Sequence, residues 1–262
     1  MLTQTEINDT YKQHVFKGMG SVNQGDVMFL CQMLELVQPQ KCLEVGVASG
    51  MSTTFLLKGL ERISADCELI SVDIGEQFYA DDSKAVGFVI QDAVPNPQCK
   101  FQLHTKHWSA DAEKFSTDGK FDFVFIDAHH SHPWATLDTM MVLPFVNSGA
   151  WIAHHDIALA KIPEYANETG PVNVYEAFGE PKRISEFENQ NIGAFQVSGN
   201  HQDYEDVLRH SLDIQWTLGA EIHEGFYARI FNLVQKHYSD DFASYIRTKI
   251  EYHNAARKAA VA

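Results

Sequence analysis

Along residues 26–37 the apolar positions recur at intervals of three and four, which predicts an amphipathic helix closed by Pro39. Lys41-Cys-Leu-Glu-Val-Gly46 then reads as a short apolar strand entering the glycine turn Gly46-Val-Ala-Ser-Gly50, with a helical stretch over 51–62. The same alternation returns: strands are predicted at 68–73, 100–104, 121–126 and 150–154, with helical patterns between them. Strands separated by helices predict an α/β fold, a doubly wound and mainly parallel sheet of Rossmann-like type with helices on both faces. In such sheets ligands bind beyond the carboxyl ends of the strands, where the winding reverses. Residues 157–170, which leave the fifth strand with Pro163, Asn167 and Gly170, are a candidate substrate lid. A helix near 172–178 and a strand pair near 182–187 and 192–197 follow. In the last sixty residues Phe226, Ile230, Val234 and His237 share one helix face, as do Phe242, Ile246 and Ile250, which predicts a packed helical cap.

A chain of 262 residues, 45% hydrophobic, can bury one main core with a modest appendage. Its formal charge of −15 opposes phosphate, which argues against nucleic acid and anionic membrane as partners. The first residues carry neither the basic start nor the apolar run of a secretion signal, and the expected location is cytoplasmic. Cys31, Cys42, Cys67 and Cys99 stand apart in apolar surroundings and read as buried thiols.

Chemistry concentrates where the predicted strands end. Glu44-x-Gly46-x-x-x-Gly50 lets backbone approach a ligand closely, and Asp73, at the next strand end, can accept ribose hydroxyls, so a nucleoside cofactor is expected. Glu44 would repel a pyrophosphate, whereas S-adenosylmethionine is cationic and suits an acidic strand end better than NAD. A second constellation runs Phe125-Ile-Asp127-Ala-His129-His130-Ser-His132-Pro-Trp134, then Asp138, then His154-His155-Asp156. Groups leaving neighbouring strands at one edge can converge on an ion; carboxylates with an imidazole suit Mg²⁺, Mn²⁺ or a related divalent ion, and the imidazole makes later transition metals more competitive.

Together these residues resemble class I S-adenosylmethionine-dependent methyltransferases, within them the catechol-type metal-dependent O-methyltransferases, and more closely the macrocin O-methyltransferase and cephalosporin-hydroxylase-like group. The likeness spans roughly residues 20–200 and implies a methyltransferase domain over 1–200, with 201–262 as a helical extension. By this resemblance Glu44, Gly46 and Ser52 hold the methionine part of the cofactor, Asp73 the ribose, and Ser109 lies near the adenine. Asp127, which also borders the cofactor, joins His155 and Asp156 as metal ligands, with Mg²⁺ the first expectation. Two positions depart from the catechol pattern: His155-Asp156 replaces Asp-Asn, and His130 replaces a lysine base, with His129 and His132 as rivals for that role. The implied reaction is transfer of a methyl group to a hydroxyl of a small molecule or sugar. A His/Asp metal hydrolase and a catalytically silent nucleoside-binding or assembly module are the competing readings; the helical tail could pack on its own domain or build a homo-oligomer. Trp134 and aromatics near Tyr165 and Tyr175 are candidates for the acceptor pocket.

Overall fold

A computed structural model describes residues 2–14, 22–187 and 190–261. The elements run α1 (Gln4–His14), α2 (Gln24–Val37), β1 (Lys41–Val45), α3 (Met51–Leu60), β2 (Glu68–Asp73), β3 (Gln77–Phe78), β4 (Asp81–Ala85), α4 (Ile90–Ala93), β5 (Lys100–Thr105), α5 (Ala112–Phe115), β6 (Phe121–Ile126), α6 (Trp134–Val142) and β7 (Val146–His155). Then come α7 (Gly170–Ala177), β8 (Lys182–Ile184), β9 (Ile192–Gln196), α8 (Glu205–Asp213), α9 (Glu224–His237) and α10 (Asp240–Val261). Seven strands form one sheet in the order β5-β2-β1-β6-β7-β9-β8. Pairing is parallel from β5 to β7, and β9 is antiparallel to both β7 and β8. The order reverses between β1 and β6, so their carboxyl ends flank the switch point where this sheet type places its ligand.

Strand side chains alternate between two cores, as the two-residue period of a strand requires. Cys42, Leu69, Phe123 and Phe125 pack with α1, α2, α3 and α4. Leu43, Val45, Ile70, Val72, Val124 and Ile126 face the other way, onto α6 and the C-terminal helices. Helices α8, α9 and α10 share that second core through Leu208, Leu212, Ile230, Val234, Phe242 and Ile246, so the core runs unbroken across residue 200. Each such side chain contributes about 1.5–3 kcal/mol on full burial. The expected cap exists, and it is continuous with the sheet's packing.

Helix α2 begins with a capping box: the Asn23 side chain accepts from Asp26 N at 3.0 Å, and the Asp26 carboxylate accepts from Asn23 N at 3.2 Å. The helix α1 and the β3–β4 hairpin carried no strong periodicity and were not anticipated. All four cysteines are buried and free, as expected. Among the described residues no helix is long and apolar enough to cross a membrane.

Candidate functional site

The end of β1 passes directly against the end of β6. Gly46 has φ +92°, and a Cβ there would stand 2.0 Å from the carbonyl oxygen of Asp127, so only glycine lets the two strand ends touch. Asp73 ties the following turn to β2: its Oδ2 accepts from Val47 N (2.9 Å) and Ala48 N (3.0 Å), its Oδ1 from Gly75 N (2.7 Å). A carboxylate has about four acceptor sites, so Asp73 keeps capacity for a ligand hydroxyl. Beyond this turn opens a cavity of about 420 Å³, with Gly46, Asp73, Asp127, Trp134, Asp138 and Phe226 in its walls. That volume falls in the range of small-molecule and cofactor sites.

Three expected cofactor residues are not on the cavity wall. Glu44 is wholly buried behind the turn, and its carboxylate accepts from Ser52 Oγ (2.6 Å), Thr53 Oγ1 (2.7 Å) and Ser71 Oγ (2.6 Å). Burial raises its pKa to about 7 against those three donors. Glu44 and Ser52 therefore brace the turn from below, and the charge argument against a dinucleotide loses its residue. Ser109 is also fully buried, and its hydroxyl donates to Asp138. It is Asp138 that reaches the cavity, its carboxyl raised to about 7 by burial.

At the other rim, β6 and β7 end side by side and bring Asp127, His130, His155 and Asp156 together. His155 Nδ1 lies 3.3 Å from Asp127 Oδ1 and 3.4 Å from Asp156 Oδ2, while His155 Nε2 donates to Asp26 Oδ2 at 2.8 Å. His130 Nε2 stands 3.0 Å from Asp156 Oδ2 and 3.6 Å from Asp127 Oδ1. Ligand atoms of Asp127, His130 and Asp156 lie within 4.8 Å of one another, close enough to share an ion. Asp156 takes φ +60° and is held by Asn191 Nδ2, which donates to its Oδ1 at 2.7 Å. Burial lowers the His130 imidazole pKa, but the Asp127 and Asp156 carboxylates outweigh it and hold His130 above its ordinary value.

The other two candidate bases part company. His129 lines the cavity; burial lowers its pKa, and its Nδ1 accepts from Ser131 N at 3.2 Å, which leaves the ring proton on Nε2. His132 is fully buried, away from the cavity wall, and pushed down to about 4 by burial. It cannot meet a substrate, so the structure removes it as a base. The segment 157–170 does not line the cavity either. It packs beside the histidine loop, where Ser131 Oγ donates to Glu168 Oε2 at 2.9 Å and Gly170 N donates to His130 O at 2.8 Å. Trp134 lines the cavity; Tyr165 is exposed, and the Tyr175 hydroxyl donates to Arg183 O.

Residues 43–157 match the sequence model of a family described as "Methyltransferase domain". Over this segment the chain resembles methyltransferase domains, and its sheet has the Rossmann-like fold of that class. No curated protein matches the chain in sequence. Solved structures that resemble it include an O-methyltransferase from Bacillus cereus in complex with SAH, at 15% identity and TM-score 0.53, covering 75% of this chain and 92% of that one. Another is TomG, an O-methyltransferase from Streptomyces achromogenes involved in tomaymycin synthesis, in complex with SAM, at 14% identity and TM-score 0.51, covering 74% and 88%. A methyltransferase from Geobacter sulfurreducens aligns at 11% identity and TM-score 0.52, covering 74% and 89%. At these identities the likeness shows the fold.

The cavity also uses Trp108 and Phe226, to which sequence reasoning assigned no site role. With Trp134 they form an edge-to-face aromatic cluster on one cavity wall, Phe226 lying 5.0 Å from Trp108 and 5.5 Å from Trp134 between ring centroids. Phe226 comes from α9, far outside the matched segment. Asp26 touches His155 from 129 positions away. Neither contact leaves a local spacing signal; only the fold brings them in.

Proposed function

We propose that this domain transfers a methyl group from S-adenosylmethionine to a hydroxyl oxygen of a small molecule or sugar, assisted by a divalent cation. The observation that carries the reading is Asp127. It belongs at once to the wall of the Gly46–Asp73 cavity and to the His/Asp cluster, so a cofactor in the one and a cation in the other would meet on it. The cavity fits the cofactor: glycine backbone at a strand end, a carboxylate with acceptor capacity, and an aromatic wall for a flat base. The cluster fits a cation: two carboxylates face the buried His155 Nδ1, which makes no hydrogen bond of its own.

When bound, the cofactor supplies an activated methyl and the cation acidifies the acceptor hydroxyl. The chain's residues do the rest. Asp127 and Asp156 would hold the cation together with His155, whose Nδ1 lies 3.3 and 3.4 Å from their oxygens, leaving His130 at the edge of the same cluster, and the turn and cavity wall align the reactants. His130 is the proton acceptor: it stands beside the cavity wall rather than in it, against Asp127 and Asp156, and its side chain is 30% exposed against 8% for His155, which leaves it open to a hydroxyl held at the cluster. His129, with its proton on Nε2, donates a hydrogen bond to the acceptor.

Calorimetric titration with S-adenosylmethionine, on wild type and Asp73→Asn, tests the cofactor half. Micromolar binding weakened at least tenfold in the variant is expected, and absence of binding to wild type would sink the reading. Turnover on a panel of hydroxylated acceptors, with and without chelator, tests the cation. His130→Ala should lower kcat while leaving cofactor affinity unchanged; full turnover would remove it as the base.

A further inference from the structure

Asp26 is 2% exposed and sits in the first turn of α2, remote in sequence from the strand ends. Its Oδ2 receives the His155 Nε2–H at 2.8 Å and also closes the α2 capping box. A carboxylate can only accept, so the proton of a neutral His155 must lie on Nε2. The lone pair is then on Nδ1, an atom buried to 7% residue exposure, without a hydrogen bond, and aimed between two carboxylates. Burial lowers the His155 imidazole pKa, but the Asp127 and Asp156 carboxylates outweigh it and hold the ring well above its ordinary value, so the place beside Nδ1 calls for positive charge, which a proton or a cation with affinity for nitrogen can supply.

We propose that Asp26 is a positioning residue that fixes the His155 tautomer and thereby makes Nδ1 a nitrogen donor, so that the site selects a first-row transition ion over Mg²⁺. This rests on the cation reading given above. Mg²⁺ strongly favours oxygen donors in regular octahedral array and seldom takes imidazole, whereas ions from Mn²⁺ to Zn²⁺ gain from it in the usual order of stability. A carboxylate behind a ligating histidine orients the ring and raises its basicity, and loss of such a partner costs 10–100-fold in metal affinity. Asn191 supports the same arrangement from the other side by holding the second oxygen of Asp156.

The test measures Co²⁺ and Mg²⁺ affinity of chelator-stripped protein by competition with a fluorescent chelating indicator, with the visible spectrum of bound Co²⁺ as a report on nitrogen ligation. Wild type should bind Co²⁺ at least tenfold more tightly than Mg²⁺. Asp26→Ala should weaken Co²⁺ roughly 10–100-fold while Mg²⁺ shifts less than about threefold, and Asp26→Asn, whose amide oxygen still accepts, should fall between. Asn23→Ala breaks the same helix cap without touching His155 and should leave Co²⁺ affinity unchanged. It separates positioning from helix stability, and with Asp26→Asn it carries the test if Asp26→Ala fails to fold. Equal affinity for the two ions, Asp26→Ala with unchanged Co²⁺ affinity, or Asn23→Ala with a loss equal to that of Asp26→Ala would each overturn the proposal. Wild type that binds S-adenosylmethionine but neither ion would instead overturn the cation reading beneath it.

Discussion

Replacing Gly46 with alanine puts a methyl group where the backbone of a neighbouring strand already lies. The added Cβ would stand 2.0 Å from Asp127 O and 2.6 Å from Asp127 C, both backbone atoms that no rotamer change can move. The φ of +92° adds its own strain, since a side chain in the left-handed region costs about 1–2 kcal/mol. Forcing the end of β1 away from β6 adds the cost of overpacking, about 1–3 kcal/mol. The sum is a loss of about 2–5 kcal/mol, read as a lower urea midpoint at unchanged m-value. The strand ends must part to relieve the overlap, so Asp127 moves and affinity for S-adenosylmethionine should fall together with stability. Gly225 is the internal control: nothing lies within 4 Å of its would-be Cβ, and it sits in the first turn of α9. Gly225→Ala should stabilise by about 0.4–1 kcal/mol. A Gly46→Ala loss below about 1 kcal/mol, or one no larger than an arbitrary surface change, would refute the reasoning.

Other expectations follow from particular contacts. Glu44 has its pKa raised from 4.5 to about 7, so the folded state holds this proton over a range where the unfolded state has lost it. Its contribution is complete below pH 4.5 and is lost as pH rises through 7. Wild-type stability relative to Glu44→Gln should therefore decline across that window by on the order of 3 kcal/mol, and parallel pH curves for the two proteins would contradict it. Phe226→Ala opens the aromatic wall and should weaken cofactor or acceptor binding at least several-fold with α9 still helical by circular dichroism; unchanged Kd and KM would show that the α9 wall is idle. His129→Ala should reduce turnover with little change in Tm, whereas His132→Ala, a cavity in a packed interior, should lower Tm and leave kcat near wild type. The reverse pattern would exchange their assignments.

The sheet was legible because its strands are short apolar runs at regular spacing; β2 and β6 fall where the sequence placed them, and β1, β5 and β7 within a few residues. The convergence of Asp127, His155 and Asp156 was legible for the same reason, since residues at adjacent strand ends lie close together, while the place of His130 among them was not. Glu44 and Ser109 misled because sequence reveals position along a strand but not which face of the turn a side chain takes. At Glu44 three hydroxyls decide it; at Ser109 the buried Asp138 does. Asp26 and Phe226 were invisible for a different reason: each reaches the site across a tertiary contact that no spacing announces. His132 looked like its neighbours, and only its complete burial separates it from them.

The aromatic wall also has an order in time. Synthesis runs from the amino end at about 5–20 residues per second, and domains begin to fold as they emerge. The His/Asp cluster is complete at Asp156, whereas Phe226 lies 70 residues later (226 − 156), which separates them by roughly 4–14 seconds of elongation. Until α9 arrives, Trp108 and Trp134 have no Phe226 ring against them and the cavity stands open on that side. A nascent chain can thus bring its His/Asp cluster together before it can close the neighbouring cavity, whose aromatic wall waits for a helix made some seventy residues later.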